Sequence, residues 1–485
     1  MRKKLLIILS VSILSAFICF GCWFALHFHV LFEQSTRLFA IRHQFFPELV
    51  FHTDKWTYEK GERISIYASM AYDDSVSLCL SSLPSQQTIL QQKIRVQFQP
   101  LADHASIKGT AWKASHVLRL AEEIDSGWYL ISLEKGSEVY RQSIFIKRVD
   151  TKKRIAHFFS TNTWNAYNHW GGQSIYSKER TETVSFFRPQ PLSDPYLENT
   201  YPNYQYYFQA ANKDLYLETL LDTSGYEVDA YSMEDLEESS RLATDYDLWI
   251  FSTHTEYWTE GMFQALAHHL EGGGSVINLA GNVAAYKSEL DLTHRSLTVK
   301  RQIDQLWEEQ DSLVQRPFGL TAGFLGFHTY APYQITTDSS WILKKTSLEK
   351  GSLVGKTSDS YDYTLMYGSL WERLWGIRKK GKMAAACGLE IDKIYHGTPE
   401  NWIPIAKGLN AQIDGKGEVY PEKEEEINWS GGDCGQWGYY QHKGGGYVFS
   451  VGSMAFTGAL PYDPELRQMV VNMVEASLDV SQATP

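Results

Sequence analysis

The hydrophobic pattern of this chain changes period near residue 150, and that change narrows the folds open to it. Before it, the stretches 63–69 and 93–99 alternate apolar and polar residues, and the short runs 127–134 and 142–147 follow. Turn residues such as Glu59-Lys60-Gly61 and Asp125-Ser126-Gly127 separate them. Successive strand side chains point to opposite faces, so a period of two marks strands with one buried face. Residues 50–150 therefore predict an all-β sandwich.

After Asp150 the pattern alternates between strands and helices. Residues 154–160 form an apolar run, and Asn212–Thr223 carries Leu215, Leu217, Leu220 and Leu221 at helical spacing before Gly225. A strand over 226–231, a helix over 233–242 capped by Ser232, and a buried strand over 246–252 follow. Then come an amphipathic helix over 259–270, closed by Gly272, Gly273 and Gly274, and a strand over 275–280. The tail reads as a last strand (446–451) and helix (466–476), and 290–380 reads as insertions. Such alternation implies right-handed crossovers. The expectation for 151–480 is an α/β fold with a mainly parallel sheet and flanking helices, amidotransferase- or flavodoxin-like.

The first residues add a further segment. Arg2, Lys3 and Lys4 precede a run without charge over 5–28. About 20 apolar residues cross a bilayer as a helix. Trp23, Phe24, Leu26 and Phe28 end the run without a small-x-small cleavage site, so 1–30 reads as an uncleaved transmembrane anchor. A cleaved or Cys22-lipidated N-terminus is the alternative. The basic residues ahead of the run place the N-terminus in the cytoplasm and the body outside, periplasmic or extracellular.

A net charge of −12 argues against a nucleic-acid partner, which needs a basic face. With 15 Trp and 29 Tyr, the chain has aromatics for dense cores or a ligand-facing surface. Cys79, Cys387 and Cys434 lie beyond the apolar run; one Cys387–Cys434 bridge is open, and no Cys-x-x-Cys suggests zinc.

In an open α/β sheet the ligand crevice lies at the carboxyl ends of the strands. Applied to this sequence, that rule selects the string from Asn162 to Tyr176, then Thr253-His-Thr-Glu-Tyr-Trp258, then Gly281-Asn282, then Leu389-Glu390-Ile-Asp392 after the run 383–388. His254 and Glu256 are two apart, so an extended backbone points them the same way. A carboxylate with tyrosine phenolates is a hard oxygen set, and phenolate favours ferric iron. The plainer alternative is that these aromatics pack and place their hydroxyls on backbone partners.

The string Thr163-Trp-Asn-Ala-Tyr-Asn-His-Trp-Gly-Gly-Gln-Ser-Ile-Tyr176, the later Arg188-Pro189, His254-Thr-Glu-Tyr-Trp258 and Gly281-Asn282 resemble the C-terminal domain of the N,N-dimethylformamidase large-subunit family over roughly 150–480. The resemblance implies a mononuclear ferric iron held by Tyr167, Tyr176 and Glu256, with His254, Asn282 and Glu390 as catalytic groups. It implies hydrolysis of an amide C–N bond in a small or envelope-derived amide. Iron would act as Lewis acid, Glu390 or His254 as general base and acid, and Asn282 as oxyanion donor. The plainer roles are an orienter of Glu256 for His254, a structural carboxylate for Glu390 and a turn residue for Asn282.

Two rival readings remain. A thiol hydrolase would use Cys387, but the Gly-x-Cys-x-Gly frame is missing. The non-enzyme reading is a surface protein that binds a glycan or envelope partner on the same fold. Neither Gly-x-Ser-x-Gly nor His-Glu-x-x-His occurs, so serine-hydrolase and zincin chemistry has no motif.

Overall fold

The structure is a computed structural model, and it describes residues 36–45, 48–147, 154–177, 181–197, 211–238, 242–299, 317–325, 330–339, 341–360, 384–395, 397–409 and 435–479. Strands are numbered in chain order. The first eight build two sheets. β1 (Val50–Thr53), β3 (Arg63–Ser69) and β6 (His116–Arg119) pair antiparallel in the order β1-β3-β6. β2 (Thr57–Glu59), β4 (Asp74–Ser82), β5 (Thr88–Val96), β7 (Gly127–Lys135) and β8 (Glu138–Lys147) form the order β2-β8-β7-β4-β5. Alternation explains the packing: Ile64 and Ile66 face inward while Ser65 and Tyr67 are half-buried. Ile64, Ile66, Leu78, Leu80, Ile131 and Ile144 close one apolar core between the sheets. The arrangement fits the expected β-sandwich.

The central sheet has nine strands: β9 (Ile155–Phe159), β11 (Val228–Ser232), β12 (Leu248–Thr253), β14 (Ser275–Ala280), β19 (Tyr333–Ile335), β20 (Leu353–Val354), β23 (Ile403–Gly408), β24 (Gln436–Gln441) and β25 (Tyr447–Ser450). Their order is β11-β9-β12-β14-β25-β24-β23-β19-β20. From β11 to β25 the strands run parallel. From β25 onward every described pairing is antiparallel. Both faces of β12 are buried. Leu248 and Ile250 pack toward the helices Asn212–Thr223 and Pro464–Leu478. Trp249 and Phe251 pack toward Met233–Glu238 and Glu260–Glu271. Local chemistry sets the helix starts: Thr259 and Asp463 accept the backbone N–H of Met262 and Leu466, and Pro464 occupies a first-turn position where no N–H is needed.

The remaining strands flank this sheet. β10 (Thr183–Ser185), β16 (Ser296–Val299), β15 (Tyr286–Asp291) and β13 (Tyr257–Trp258) join in that order. β17 (Thr321–Leu325) pairs β22 (Ile391–Lys393), and β18 (Tyr330–Ala331) pairs β21 (Cys387–Gly388). The sandwich docks on β9 and β11 through Trp128 against Phe159 (4.7 Å between ring centroids) and Ser126 Oγ donating to Asp229.

The structure corrects three expectations. First, the chain is not a mainly parallel α/β fold: strand outweighs helix, the sheets are several and mixed, and the parallel run covers one half of the central sheet. Second, the stretch read as insertions supplies short strands that pair antiparallel, and runs of two to six residues are too brief to announce a period. The run 383–388 likewise yields only the two-residue β21, outside the central sheet. The third concerns the membrane. Among the described residues no helix is long and apolar enough to cross one, so the expected single-pass location finds no support there. The stretch 1–30 lies outside the described residues.

Candidate functional site

β9 is flanked by β11 on one side and β12 on the other, so the chain reverses its direction of travel across the sheet there. Such a switch point opens a crevice at the carboxyl ends of the two strands. Beyond β9 the chain enters the buried helix Thr161–Tyr167, whose last residue is Tyr167. Asn168 stops it in an extended conformation and ties the following loop, accepting from Trp170 N (2.9 Å) and donating to Pro189 O (2.8 Å). The loop turns through Gly171 and Gly172 at φ 91° and 89°. A Cβ on Gly171 would stand 2.8 Å from Ser106 N, so glycine is required there. Ile175 N then returns to Ala166 O (3.1 Å).

That return lays Tyr176 against Tyr167, with ring centroids 4.0 Å apart and planes 22° from parallel. Arg188, fully buried, fastens both ends of the loop. It donates to Asn165 O (2.8 Å), Trp170 O (2.8 Å), Gln173 O (3.0 Å) and Ser185 O (3.0 Å). Burial pulls the guanidinium down to about 9, so it stays charged at neutral pH.

β12 delivers the second group. Thr253 ends the strand at φ 60°, and the next residues run into β13. Glu256 N donates to Thr163 Oγ1 (3.1 Å), which seats this segment on the helix that carries Tyr167. The Glu256 carboxylate accepts the Tyr176 hydroxyl (3.0 and 3.2 Å) and Asn282 Nδ2 (3.3 Å), with Tyr167 bonded to it as well. The Tyr257 hydroxyl meets that of Tyr176. His254 Nε2 lies between two carboxylates, 3.1 Å from Glu390 Oε2 and 3.5 Å from Glu256 Oε2.

Asn282 and Glu390 reach the crevice by close backbone approach. A Cβ on Gly281 would lie 2.5 Å from both Glu390 O and Met454 N, so only glycine lets the 281–282 turn meet the Glu390 segment. Asn282 N donates to Asp392 Oδ1 (2.7 Å), which locks the turn. Thr253, Asn282, Ala284 and Leu389 all hold positive φ, between 52° and 69°. Non-glycine residues in that region carry strain, and strain collects at functional sites.

Electrostatically the cluster is rich in oxygen acids and poor in cations. Burial raises the Glu256 carboxyl to about 7; His254 opposes the rise and Glu390 adds to it. Burial, then Glu256, holds the Tyr167 phenol well above its ordinary value. Burial disfavours a charged His254, but Glu256 and Glu390 more than offset it and raise its pKa. His254 Nδ1 and Asn282 Oδ1 are buried without a hydrogen-bond partner. Orphaned buried polar atoms call for an ion, water or ligand. A hard cation fits the oxygen surplus, and a bound water or substrate fits the orphans. Among the described residues no group of three or more His, Cys, Asp or Glu is arranged for a metal. The set Tyr167, Tyr176 and Glu256 takes two of its three donors from tyrosine.

The six residues singled out from the sequence, Tyr167, Tyr176, Glu256, His254, Asn282 and Glu390, thus lie together. Tyr257 and Thr163 were not foreseen in their roles. Strand alternation predicts that Tyr257 points away from Glu256, yet its hydroxyl meets that of Tyr176. Cys387 is fully buried, and its sulfur packs on Gly435, so close that a Cβ there would be 2.4 Å away. Cys434 lies outside the described residues.

Comparison with known proteins adds one informative match. The profile of the family described as "N,N-dimethylformamidase beta subunit-like, C-terminal" matches residues 74–469. The match begins at β4, so it takes in most of the sandwich besides the central sheet. No curated protein matches the chain. Among solved structures, the Ig1 domain of mouse SynCAM 2 is 20% identical, with 20% of this chain and 93% of that one covered and a TM-score of 0.13. A β-D-glucuronidase for Dictyoglomus thermophilum is 10% identical, with 49% and 46% covered and a TM-score of 0.13. At such scores neither likeness carries an argument.

Proposed function

The chain belongs to the N,N-dimethylformamidase beta subunit-like family, and from that premise we propose that it is an iron-dependent amidohydrolase cleaving the C–N bond of a small amide. The observation that carries the reading is the buried meeting of Tyr167, Tyr176 and Glu256 beside the His254–Glu390 pair. Tyr167, Tyr176 and Glu256 would hold a mononuclear ferric ion. When bound, iron supplies Lewis acidity toward an amide carbonyl and toward water.

The rest falls to the protein's own groups. Glu390, with its side chain 12% exposed against 2% for Glu256, is the carboxylate better placed to take a proton from water. His254, whose pKa Glu256 and Glu390 raise against the opposing effect of burial, is the acid for the departing amine. Asn282 donates to Glu256 in the resting site and so orients that carboxylate. Its buried, unpartnered Oδ1 leaves the amide free to turn its donor toward a developing oxyanion.

The test is hydrolysis of a panel of small amides, formamides included, by the purified protein and by Glu390→Gln. Amine release that falls at least a hundredfold in the variant, with iron content unchanged, supports the assignment. Equal release by both proteins removes Glu390 from the reaction. No release by either, from an iron-free protein, favours a binding role on the same fold.

A further inference from the structure

Behind the crevice, buried polar residues form a chain that ends on the strained corner of β12. Glu218 Oε1 lies 2.6 Å from His157 Nδ1, and His157 Nε2 lies 2.7 Å from Ser252 Oγ. Ser252 Oγ donates to Asp214, and Thr253 Oγ1 donates to the same Asp214 oxygen at 3.0 Å. His157, Ser252, Thr253 and Asp214 are fully buried, and Glu218 is 7% exposed. Asp214 sits in the first turn of the helix Asn212–Thr223, where unpaired N–H groups favour an acidic side chain.

The Ser–His–Glu part has the contacts of a hydrolytic triad, but Ser252 is fully buried inside β12 and its hydroxyl hydrogen is spent on Asp214. Its purpose must therefore be structural or directional. The direction is set by Thr253. A β-branched residue at φ 60° is disfavoured, and the left-handed region costs a non-glycine residue about tenfold in population or more. The turn at Thr253 is also what takes the chain out of β12 and aims His254 and Glu256 into the crevice.

We propose that Asp214 is the positioning residue of this site: by accepting hydrogen bonds from Ser252 and Thr253 it holds Thr253 left-handed and so fixes His254 and Glu256. The role of those two residues rests on the function proposed above; the geometry of the corner does not.

The experiment is a rescue. Hydrogen–deuterium exchange of the peptide 253–258, followed by mass spectrometry on the full chain, reads the order of the corner without any metal. Glu256 N–H, bonded to Thr163, is one protected amide within it. Asp214→Leu, which removes the acceptor that asparagine would keep, and Thr253→Val should each speed exchange there about tenfold. Thr253→Gly, which takes positive φ without strain, should leave exchange near wild type, and in the Asp214→Leu background it should restore protection. A merely structural loss at Asp214 is not repaired by glycine at 253. If Asp214→Leu does not fold, the valine and glycine variants decide alone: equal loosening by both overturns the proposal. Failed rescue, or unchanged exchange in Asp214→Leu, overturns it too. Ferric titration of the same proteins separates the two ideas. The exchange pattern with no iron binding by wild type leaves Asp214 in place and removes the iron.

Discussion

Arg188→Met tests how the two tyrosines come to face each other. Methionine matches arginine's length but has no donor, so the carbonyls of Asn165, Trp170, Gln173 and Ser185 lose their partner. Hydrogen bonds to a charged group contribute about 1.5–3 kcal/mol each, and an orphaned buried acceptor costs about 1–3 kcal/mol. Against this stands the relief of no longer burying a guanidinium that burial itself opposes. Four orphaned carbonyls at about 1–3 kcal/mol each, less that relief, leave a net cost of about 3–5 kcal/mol. At about 2–4 °C per kcal/mol, the melting temperature should fall by roughly 6–20 °C. The loop from Asn165 to Gln173 should loosen first, because its carbonyls are the ones released. Circular dichroism melts give the stability, and ferric titration at a temperature where the variant is folded gives the site. Arg188→Lys keeps a charge but lacks the fork and should fall between. A variant melting within about 2 °C of wild type, with unchanged iron affinity, would mean that Arg188 does not clasp this loop.

Other outcomes follow from single contacts. Gly281→Ala should abolish iron binding and amide hydrolysis, because the new Cβ would clash with Glu390 O and Met454 N, each at 2.5 Å; inductively coupled plasma measurement of iron checks it. His52 is buried and its pKa is lowered from 6.5 to about 4 by burial, against the pull of the Thr53 carbonyl. Its folded pKa lies below its unfolded one, so the unfolded chain takes the proton first, and stability should decline by roughly 3 kcal/mol as pH falls from 6.5 to 4. Urea titrations across that range, repeated with His52→Gln, should lose that part of the slope. Ile250→Ala, at a fully packed central position of β12, should cost about 2–5 kcal/mol by urea unfolding while leaving the iron affinity of the surviving folded protein within a few-fold.

The parallel half of the central sheet was legible because its strands are long and bounded by helices. β12 and β14 carry six residues each, and the helices between strands start on Thr259 or stop at Gly225 and Gly272. The sandwich was legible because β3 alternates over seven residues, and β7 and β8 are runs of nine and ten residues set off by turn residues. The antiparallel half was hidden. β19 and β20 at its edge are three and two residues long, so neither period nor spacing betrays them. At the site, the rule of strand carboxyl ends found the segments, and the switch between β9 and β12 explains why it worked despite the mixed sheet. It could not find Arg188 as the clasp of the loop, because a buried cation satisfied by carbonyls leaves no pairing acid in the sequence. Nor could it find Asp214, whose partners Ser252 and Thr253 are distant in the chain and look like ordinary strand residues.

Everything proposed for the crevice turns on whether Tyr167, Tyr176 and Glu256 hold iron. The decisive measurement is the iron content and visible spectrum of the purified full-length protein beside Tyr176→Phe. We expect one iron per chain, with a visible tyrosinate-to-iron band that weakens or shifts in the variant. A colourless, iron-free protein that takes up no ferric ion on titration, with a Tyr176→Phe variant that behaves identically, would remove the iron and the amidase with it.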